Sequence, residues 1–465
     1  MGCCSSKKLF TNETEGLNKN AQNNIIEEIK REVNEPKIEY RNKINLIYSV
    51  KYEGEYNLLG NKFMTKNKDN IELILNCEKI EPEIKLKEGE YTLTIIIKNK
   101  LKDLSYMFAC CRALKDITEL QYLDVSEVKL FEYMFCWCES LLDIRPLEKW
   151  NVSNSLSFHD MFHGCESLSD ITPLQNWNVS NCIDFSTMFL SCSSLIDITP
   201  LDKWNVSNSL SFNGMFHGCS SLKDIKPLKN WNVSKCKDFR YLFRLCRSLA
   251  DISPLENWNV SNCINFCFMF QLCRSLADIS PLENWNVSNC NYFALMFSGC
   301  SSLTDIKPLE NWNVSKSISF LSMFEECSLL SDVMPLANWN VSNCKYFNHM
   351  FYKCESLSNI KGLSNWNVSN GINFESMFNG CKALTDITAL ENWNVSESNN
   401  FEYMFKGCLF LSDVKALKNW HFLKPNIRCL GMFYKCSPLF DLKPLENWNL
   451  PKDSFNSLII DSDKK

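Results

Sequence analysis

The chain has 465 residues, of which 45% are hydrophobic and 22% charged, so it can bury a large core and is not disordered throughout. Its 49 basic and 54 acidic residues give a formal charge of −5, which excludes a general basic surface for binding nucleic acid. No apolar run approaches the roughly 18 residues of a membrane-spanning helix, and the first residues lack the apolar core of a secretory signal. We therefore expect any contact with a membrane to be made in another way.

The chain begins with a pattern typical of N-terminal acylation. Gly2 follows Met1, and Ser6 stands four positions after Gly2, as in the N-myristoylation motif. A single myristoyl chain binds bilayers only weakly, and Cys3 and Cys4 would lie at the membrane surface, where palmitoylation occurs. The sequence predicts lipidation at these three residues and a peripheral position on the cytoplasmic face of a membrane. The alternative is an accidental match on a soluble protein.

Composition and periodicity divide the chain into four segments. Residues 1–36 are expected to be an acylated N-terminus and flexible spacer, because they are rich in Asn, Glu and Lys. Residues 37–100 contain β-like runs separated by glycines and are predicted to be a small β-rich module that caps the open end of a repeat array. That array comprises residues 101–450, and residues 451–465 are expected to be a C-terminal tail.

The array repeats every 27 residues, except for one interval of 28 before the last repeat. Its consensus is C-x-S-L-x-D-I-x-P-L-x-N-W-N-V-S-N-x-x-x-F-x-x-M-F-x-x, and we call each unit a coil. One coil cannot bury its own apolar residues, so the pattern predicts a solenoid of about thirteen stacked coils. The W-N-V-S-N text is lost between 421 and 429, which predicts a distorted twelfth coil. The repeat cysteines are Cys111, Cys138, Cys165, Cys192, Cys219, Cys246, Cys273, Cys300, Cys327, Cys354, Cys381, Cys408 and Cys436.

The spacing within a coil predicts its local structure. Phe158, Met161, Phe162 and Cys165 are spaced as on one face of a short helix. A stacked strand is predicted at 168–172, because the prolines that recur after it cannot donate to a ladder. Equal positions should form buried ladders, above all the tryptophans that recur from Trp150 to Trp448, with Leu123 in the first coil. The fold class predicted is an α/β, leucine-rich-repeat-like solenoid.

The repeat resembles that of the BspA-like leucine-rich-repeat surface proteins, in which W-[DN]-[VT]-S and M-F-x-x-C-x-x-L recur at nearly the same spacing. Asn178 to Asn181 and Met188 to Leu195 carry these motifs, and the resemblance covers residues 101 to 450. It implies a right-handed α/β solenoid and a role in binding or adhesion without catalysis. Many relatives are exported, whereas this chain is expected to lack a secretory signal.

The 25 cysteines favour reduced, buried thiols over disulfides. A second cysteine column, from Cys182 to Cys344, is replaced by Ser or Gly in other coils, which a required cross-link would not tolerate. Ten coils contain N-V-S, and each of these sequences is formally a glycosylation acceptor. We expect the Asn to satisfy backbone groups in a turn instead. The Asp or Asn two residues after the repeat Leu, such as Asp170, is expected to accept turn N–H groups or to face water.

No catalytic constellation, nucleotide-binding motif or metal-ligand spacing is found, and we expect neither an enzyme nor a cofactor. His159 and His163 make at most half of a metal site and are expected at solvated positions. A partner would be bound through the variable positions near the predicted helix. The candidate surface comprises Arg240, Tyr241, Arg244, Phe268, Gln271 and Arg274, with an ordinary mixed surface as the alternative.

These features lead to one functional hypothesis with one competitor. We expect a lipid-anchored scaffold on the cytoplasmic face of a membrane, bound to the bilayer through its acyl chains and to unidentified protein partners through the solenoid. The competing hypothesis is a surface-exposed or secreted adhesin of the BspA-like type.

Overall fold

The computed structural model describes residues 39–460 apart from 425, 438–440 and 449. Its N-terminal part is a β-rich module in which alternate residues are buried, as in Ile71–Leu75. A five-stranded antiparallel sheet has the order β4-β3-β6-β1-β7, and β2 pairs with β5. The elements are β1 (Glu39–Val50), β2 (Gly54–Asn57), α1 (Asn61–Asn67), β3 (Ile71–Leu75), β4 (Glu78–Lys79), β5 (Glu83–Leu86), β6 (Gly89–Asn99) and β7 (Leu114–Asp116).

The module and the first coil share this sheet. Strand β7 belongs to the first coil and pairs with β1, where Tyr48 lies opposite Leu114. Tyr48 is fully buried, and its hydroxyl donates a hydrogen bond to the carbonyl of Leu58. The apolar surface at this end of the array is thus covered by the sheet.

Each coil contains one short 3₁₀ helix at the position of the recurring proline. In the coil that begins at Cys165, this helix starts at Thr172, whose N–H donates to Oδ1 of Asp170 at 2.8 Å. Proline fits the first turn of such a helix because its missing N–H would have no partner there. The 3₁₀ helices are Thr118–Tyr122, Arg145–Leu147, Thr172–Leu174, Thr199–Leu201, Lys226–Asn230, Ser253–Leu255, Ser280–Leu282, Lys307–Leu309, Met334–Leu336, Lys361–Leu363, Thr388–Leu390, Lys415–Leu417 and Lys443–Leu445.

The predicted helix over the F-x-x-M-F-x-x-C residues is wrong. These eight residues, which we call the turn segment, form two consecutive β-turns, and the α-helices that the structure describes lie outside the repeats. In the segment 158–165, each turn closes with a 3.1 Å bond from the N–H of its fourth residue to the carbonyl of its first. The third residues of these turns, Asp160 and Gly164, have φ of 55° and 73°. Positive φ at the third position is typical of type II turns and breaks an α-helix.

The same backbone recurs along the whole array. The third residue of the first turn has positive φ at Tyr106, Tyr133, Asp160, Thr187, Gly214, Tyr241, Phe268, Leu295, Ser322, His349, Ser376, Tyr403 and Gly431. The third residue of the second turn has positive φ at Cys110, Trp137, Gly164, Ser191, Gly218, Leu245, Leu272, Gly299, Glu326, Lys353, Gly380, Gly407 and Lys435.

Alternate N–H groups of each turn segment donate to the next coil. Tyr133 donates to the carbonyl of His159 at 2.8 Å, and Phe135 donates to that of Met161 at 2.8 Å. Parallel β-bridges, each one residue wide, join the position just before one segment to the same position of the next. The coils are therefore tied together by the backbone along their turn segments.

The strand predicted at 168–172 is misplaced. Residues 168–171 have no strand pairing, and the 3₁₀ helix begins at Thr172. Most of the pairing between coils occurs instead just before the turn segment, as in the parallel bridge between Ser157 and Asp184, and the bridge between Asp332 and Asn359 is an exception at the predicted position. The Asp170 carboxylate accepts the Thr172 N–H at the start of the 3₁₀ helix, so the turn into this helix begins inside the predicted strand.

One apolar core runs from the N-terminal module to the last coil, as the solenoid prediction requires. The phenylalanine columns are stacked, with ring centroids 5.9 Å apart for Phe158 and Phe185 and 5.8 Å apart for Phe162 and Phe189. The repeat tryptophans, Trp150 to Trp448, are buried, which confirms the predicted ladder, and Leu123 is buried at their position in the first coil. Stacking of identical apolar positions thus supplies the burial that one coil lacks.

The repeat cysteines are buried as predicted, apart from Cys436, which is half-buried. From Cys138 onward, each Sγ–H donates to a phenylalanine carbonyl of the preceding turn segment at 3.0–3.2 Å. Burial raises the pKa of these thiols, to about 12 for Cys436. The reactive thiolate form is therefore disfavoured along the column.

Residues after the last coil pack against it as far as residue 460. Helix α2 (Lys452–Ser457) follows Pro451, and the chain then places Leu458 in the core. The segment expected as a tail is thus part of the fold where the structure describes it. No helix among the described residues is long and apolar enough to cross a bilayer.

Candidate functional site: the turn face

The variable residues of the turn segments form one continuous surface, which we call the turn face. Of the eight positions in a segment, the two phenylalanines, the methionine and the cysteine point into the core, as Phe158 and Met161 do. The other four positions lie at or near the surface and change from coil to coil. The positive φ positions belong to this set, so each β-turn presents its third residue on the turn face.

The structure brings five of the six predicted partner-binding residues together on the turn face. Tyr241 and Phe268 stack with ring centroids 4.5 Å apart and an interplanar angle of 21°. The guanidinium carbon of Arg244 lies 5.7 Å from the centroid of the Tyr241 ring and 5.8 Å from that of Phe268. Its Nε donates to Oε1 of Gln271 at 2.6 Å. Arg240, beside Tyr241 in the chain, forms a two-pronged ion pair with Asp238, with Nη2 2.8 Å from Oδ2.

Arg274 does not join this group. It is exposed and follows the repeat cysteine of its coil, beyond the turn segment. A residue that the sequence did not suggest takes part instead, because His217 lies one coil earlier with its ring centroid 6.0 Å from that of Tyr241. We call His217, Tyr241, Arg244, Phe268 and Gln271 the aromatic–arginine cluster. The signal that could have revealed His217 is its offset: it stands 27 residues before Arg244.

Burial gives His217 an unusual titration. Its Nε2 lies 3.5 Å from Nη1 of Arg244. Burial, and then the charge of Arg244, lower the pKa of His217 to about 4. The imidazole is therefore neutral near neutral pH and does not repel the guanidinium.

A second polar cluster lies two coils earlier and was also missed from sequence. His159 and His163, expected at solvated positions, are half-buried on either side of Asp160. Asp160 Oδ2 is 3.1 Å from Nε2 of His159, and Oδ1 is 2.8 Å from Nδ1 of His163. The Tyr133 hydroxyl is 3.0 Å from the same Nε2 of His159. This histidine–aspartate cluster is built from i, i+1 and i+4 neighbours because the left-handed residue Asp160 turns its carboxylate between the two rings.

Electrostatics holds His159 and Asp160 charged. Burial alone would lower the pKa of His159, but the Asp160 carboxylate outweighs burial and raises that pKa to about 9. Burial would raise the pKa of Asp160, yet His159 and His163 keep it well below its usual range. Among the residues that the structure describes, no group of three or more His, Cys, Asp or Glu side chains is arranged to hold a metal ion. His159 and Asp160 form an ion pair at the centre of the cluster.

The side-chain roles predicted for Asn and Asp outside the turn face are confirmed. Oδ1 of Asn178, in one of the N-V-S sequences, accepts the N–H of Ser180 at 3.2 Å, and Asn178 is exposed. Asn181 donates from Nδ2 to the carbonyl of Ser153 in the preceding coil at 2.8 Å. These bonds recur from coil to coil and fix the turn after the tryptophan.

The distorted twelfth coil borders a surface pocket. Its lining includes His421, Phe422, Arg428, Trp448 and Ser454. Arg428 pairs with Glu402, so its charge is already compensated. The predicted lipidation residues, Gly2, Cys3 and Cys4, lie outside the described residues.

Comparison with known proteins gives one family and no individual relative. The family described as "Mycoplasma protein of unknown function, DUF285" matches the chain four times, over residues 102–225, 171–277, 210–335 and 330–448. Neither the curated proteins nor the solved structures that were compared match the chain. The four overlapping matches extend across the solenoid, so each family unit spans several coils and the matches together cover most of the sequence. The chain therefore belongs to the DUF285 family of Mycoplasma proteins of unknown function.

Proposed function

We propose that this protein is a non-enzymatic scaffold that binds protein partners through its turn face and is held at the cytoplasmic face of a membrane by acyl groups. The observation that carries the proposal is the contrast within each turn segment. Four positions are nearly constant and buried, whereas the four beside them differ in size, charge and aromaticity from one coil to the next. A surface of this kind suits recognition of an extended partner, because neighbouring coils place different side chains at regular intervals.

The kind of solenoid also supports binding over catalysis. The repeat text resembles the BspA-like leucine-rich surface proteins, and we propose that the chain is a solenoid of that type. The aromatic–arginine cluster contains the residue types that dominate protein interfaces, namely Tyr and Arg, around a stacked ring pair. Nucleic acid is a poor candidate, since the chain carries a net charge of −5.

The membrane anchor is proposed from the sequence alone. Gly2 would carry myristate, and palmitate on Cys3 or Cys4 would supply the second chain that stable anchoring requires. The anchor can be tested by metabolic labelling with alkyne analogues of both fatty acids, followed by membrane fractionation.

We expect Gly2→Ala to lose the myristate label and to move the protein to the soluble fraction. Cys3→Ser with Cys4→Ser should keep the myristate label but weaken membrane retention. Unchanged fractionation of Gly2→Ala would overturn the anchor.

A surface adhesin is the second candidate, and one observation favours it. The N-V-S asparagines, such as Asn178, are exposed in a row along the array and could accept glycans outside the cytoplasm. Intact-mass measurement before and after peptide N-glycosidase treatment, on protein from its native source, separates the two candidates. An unchanged mass supports the cytoplasmic scaffold in a source that glycosylates such sequences, and removable glycans support the adhesin.

A further inference from the structure

Arg244 differs from Arg240, the other partly buried arginine among the described residues, in having no acidic partner. Arg240 pairs with Asp238, and Arg428 pairs with Glu402. Among the described residues, no carboxylate lies within 4.0 Å of the Arg244 guanidinium. Its neighbours are instead the neutral Gln271 and His217. A half-buried positive charge without a counter-charge is costly, so this position favours an anion from outside.

The surroundings of Arg244 fix its orientation and leave hydrogen-bond donors available. Gln271 is buried and holds Nε at 2.6 Å. The two nearby rings, Tyr241 and Phe268, have backbone φ of 59° and 62° and are half-buried, so part of each ring faces solvent beside the guanidinium. A guanidinium has five N–H donors, and two of them can donate to one carboxylate at once. The site therefore offers one positively charged guanidinium, with paired N–H donors, next to an aromatic surface.

We propose that the aromatic–arginine cluster binds an Asp or Glu side chain of a partner protein on Arg244, with an adjacent apolar residue of that partner packed on Tyr241 and Phe268. This assignment rests on the scaffold function proposed above. One uncompensated guanidinium balances one carboxylate charge. A phosphate group would bring up to about two negative charges, while Arg240, in the same turn segment, is already occupied by Asp238.

The test uses the full chain and a phage-displayed library of random peptides as the probe. Peptides selected on the wild-type chain are synthesised, and their dissociation constants are measured by fluorescence anisotropy. We expect peptides that compete at this cluster to contain Asp or Glu next to an aromatic or aliphatic residue. Arg244→Gln should weaken their binding about 10- to 100-fold, as loss of a charge-assisted hydrogen bond predicts. Changing the peptide acid to its amide should weaken binding to a similar degree, and the two changes together should add little further loss.

Matched variants separate this mechanism from a general loss of structure. Arg274→Gln removes an exposed arginine outside the cluster and should change binding less than twofold. Arg244→Lys keeps the positive charge but lacks the paired N–H donors, so it should give an intermediate loss of affinity. Thermal unfolding reports whether each variant is folded. Equal binding to wild type and Arg244→Gln would overturn the carboxylate assignment. A phosphoserine peptide that binds more than tenfold tighter than its Glu counterpart would also overturn it, in favour of phosphate.

Failure of this assignment can be distinguished from failure of the scaffold function. Some peptides could bind Arg244→Gln as tightly as wild type but lose affinity for Tyr403→Ala. Such peptides would place binding elsewhere on the turn face, so the scaffold function would stand and the role of the cluster would not. A selection that yields no peptide sensitive to any turn-face substitution would overturn both.

Discussion

The indole N–H of Trp177 donates a 3.0 Å hydrogen bond to the carbonyl of Leu147, thirty residues earlier in the preceding coil. The repeat tryptophans thus pack in the core and also link one coil to the next through a polar bond. The same bond recurs at Trp150, Trp204, Trp231, Trp258, Trp285, Trp312, Trp339, Trp366, Trp393, Trp420 and Trp448.

A central tryptophan should therefore be harder to replace than an apolar ladder suggests. Trp231→Phe keeps an aromatic ring but removes one of the two hydrogen bonds that the buried carbonyl of Leu201 accepts, and the N–H of Trp204 remains as its donor. We expect the free energy of unfolding, measured by urea denaturation, to fall by about 1–3 kcal/mol, from the lost hydrogen bond and the lost ring volume. Trp448→Phe, in the last coil, should affect hydrogen exchange only near the C-terminal end. Equal stability of Trp231→Phe and wild type would contradict the role of this bond.

The sequence was sufficient to predict the solenoid, the buried tryptophan and cysteine columns, and the Asn and Asp turns. These depend on apolar periodicity and on residue types with one dominant local role. The candidate surface followed from the same logic, since residues 27 apart must be neighbours in a stack. Tyr241 and Phe268 illustrate this, because their 27-residue offset becomes a 4.5 Å ring contact.

The turn segment could not be predicted in the same way. Two successive β-turns place residues 1, 4, 5 and 8 on one side, and so does a helix, so the spacing of Phe158, Met161, Phe162 and Cys165 fits both. Glycine would have indicated positive φ, but only Gly214 and Gly431 mark the first turn among thirteen coils. Glycine is the third residue of the second turn in five coils, and this was the sequence signal for a turn with positive φ. The hydrogen bonds to the next coil, which compensate for the left-handed residues, are not visible in sequence.

The proline position gives a test in which the consensus residue should be harmful. Gly362 occupies this position in its coil, and a Cβ there would lie 2.1 Å from the carbonyl oxygen of Val333 and 2.8 Å from Cα of Met334. The backbone is close because Val333 N–H donates to the carbonyl of Asn359 at 3.2 Å. We expect Gly362→Ala and the consensus change Gly362→Pro each to lower the free energy of unfolding by at least about 2 kcal/mol.

The matched control is the equivalent position one coil later. Ala389 already has a Cβ at the proline position of its 3₁₀ helix. Ala389→Pro should be neutral or should stabilise by up to about 1 kcal/mol, because proline restricts the unfolded chain. Thermal and urea unfolding of the three variants provide the measurement. A Gly362→Pro variant as stable as Ala389→Pro would show that the two coils are not closer at this point.

The two unusual histidines should give stability a maximum near pH 6.5. His159, with a pKa of about 9, binds more protons folded than unfolded between pH 6.5 and 9, so its contribution is complete below pH 6.5 and is lost as pH rises. His217, with a pKa of about 4, is protonated first in the unfolded chain, so stability falls from pH 6.5 towards 4. The free energy of unfolding should fall by roughly 2–3 kcal/mol on each side of this maximum. We call the fall below pH 6.5 the acid limb and the fall above it the alkaline limb.

Single variants should reduce one limb at a time. His159→Gln should lower the slope of unfolding free energy between pH 6.5 and 8 and leave the acid limb, and the slope that remains should come from the buried thiols, whose pKa is raised in the folded chain. His217→Gln should flatten the slope between pH 6.5 and 4.5 and leave the alkaline limb. Urea unfolding at half-unit pH steps measures both. A slope above pH 6.5 that is equal in His159→Gln and wild type would assign all of it to other groups.

The C-terminal residues should stabilise the last coil through the backbone. The N–H groups of Gly431 and Phe433 would face an empty end of the stack, but they donate to the carbonyls of Ser457 and Leu458, each at 2.8 Å. Leu458 also enters the core. Truncation after residue 450 should therefore expose two backbone donors and an apolar edge, and should lower the free energy of unfolding by a value on the order of 3 kcal/mol.

Because coils contact only their neighbours, hydrogen exchange in this truncation should rise in the last two coils and stay unchanged near the N-terminal module. Truncation after residue 460 should leave exchange as in the full chain, and equal exchange in both truncations would mean that the last coil is stable without this cap.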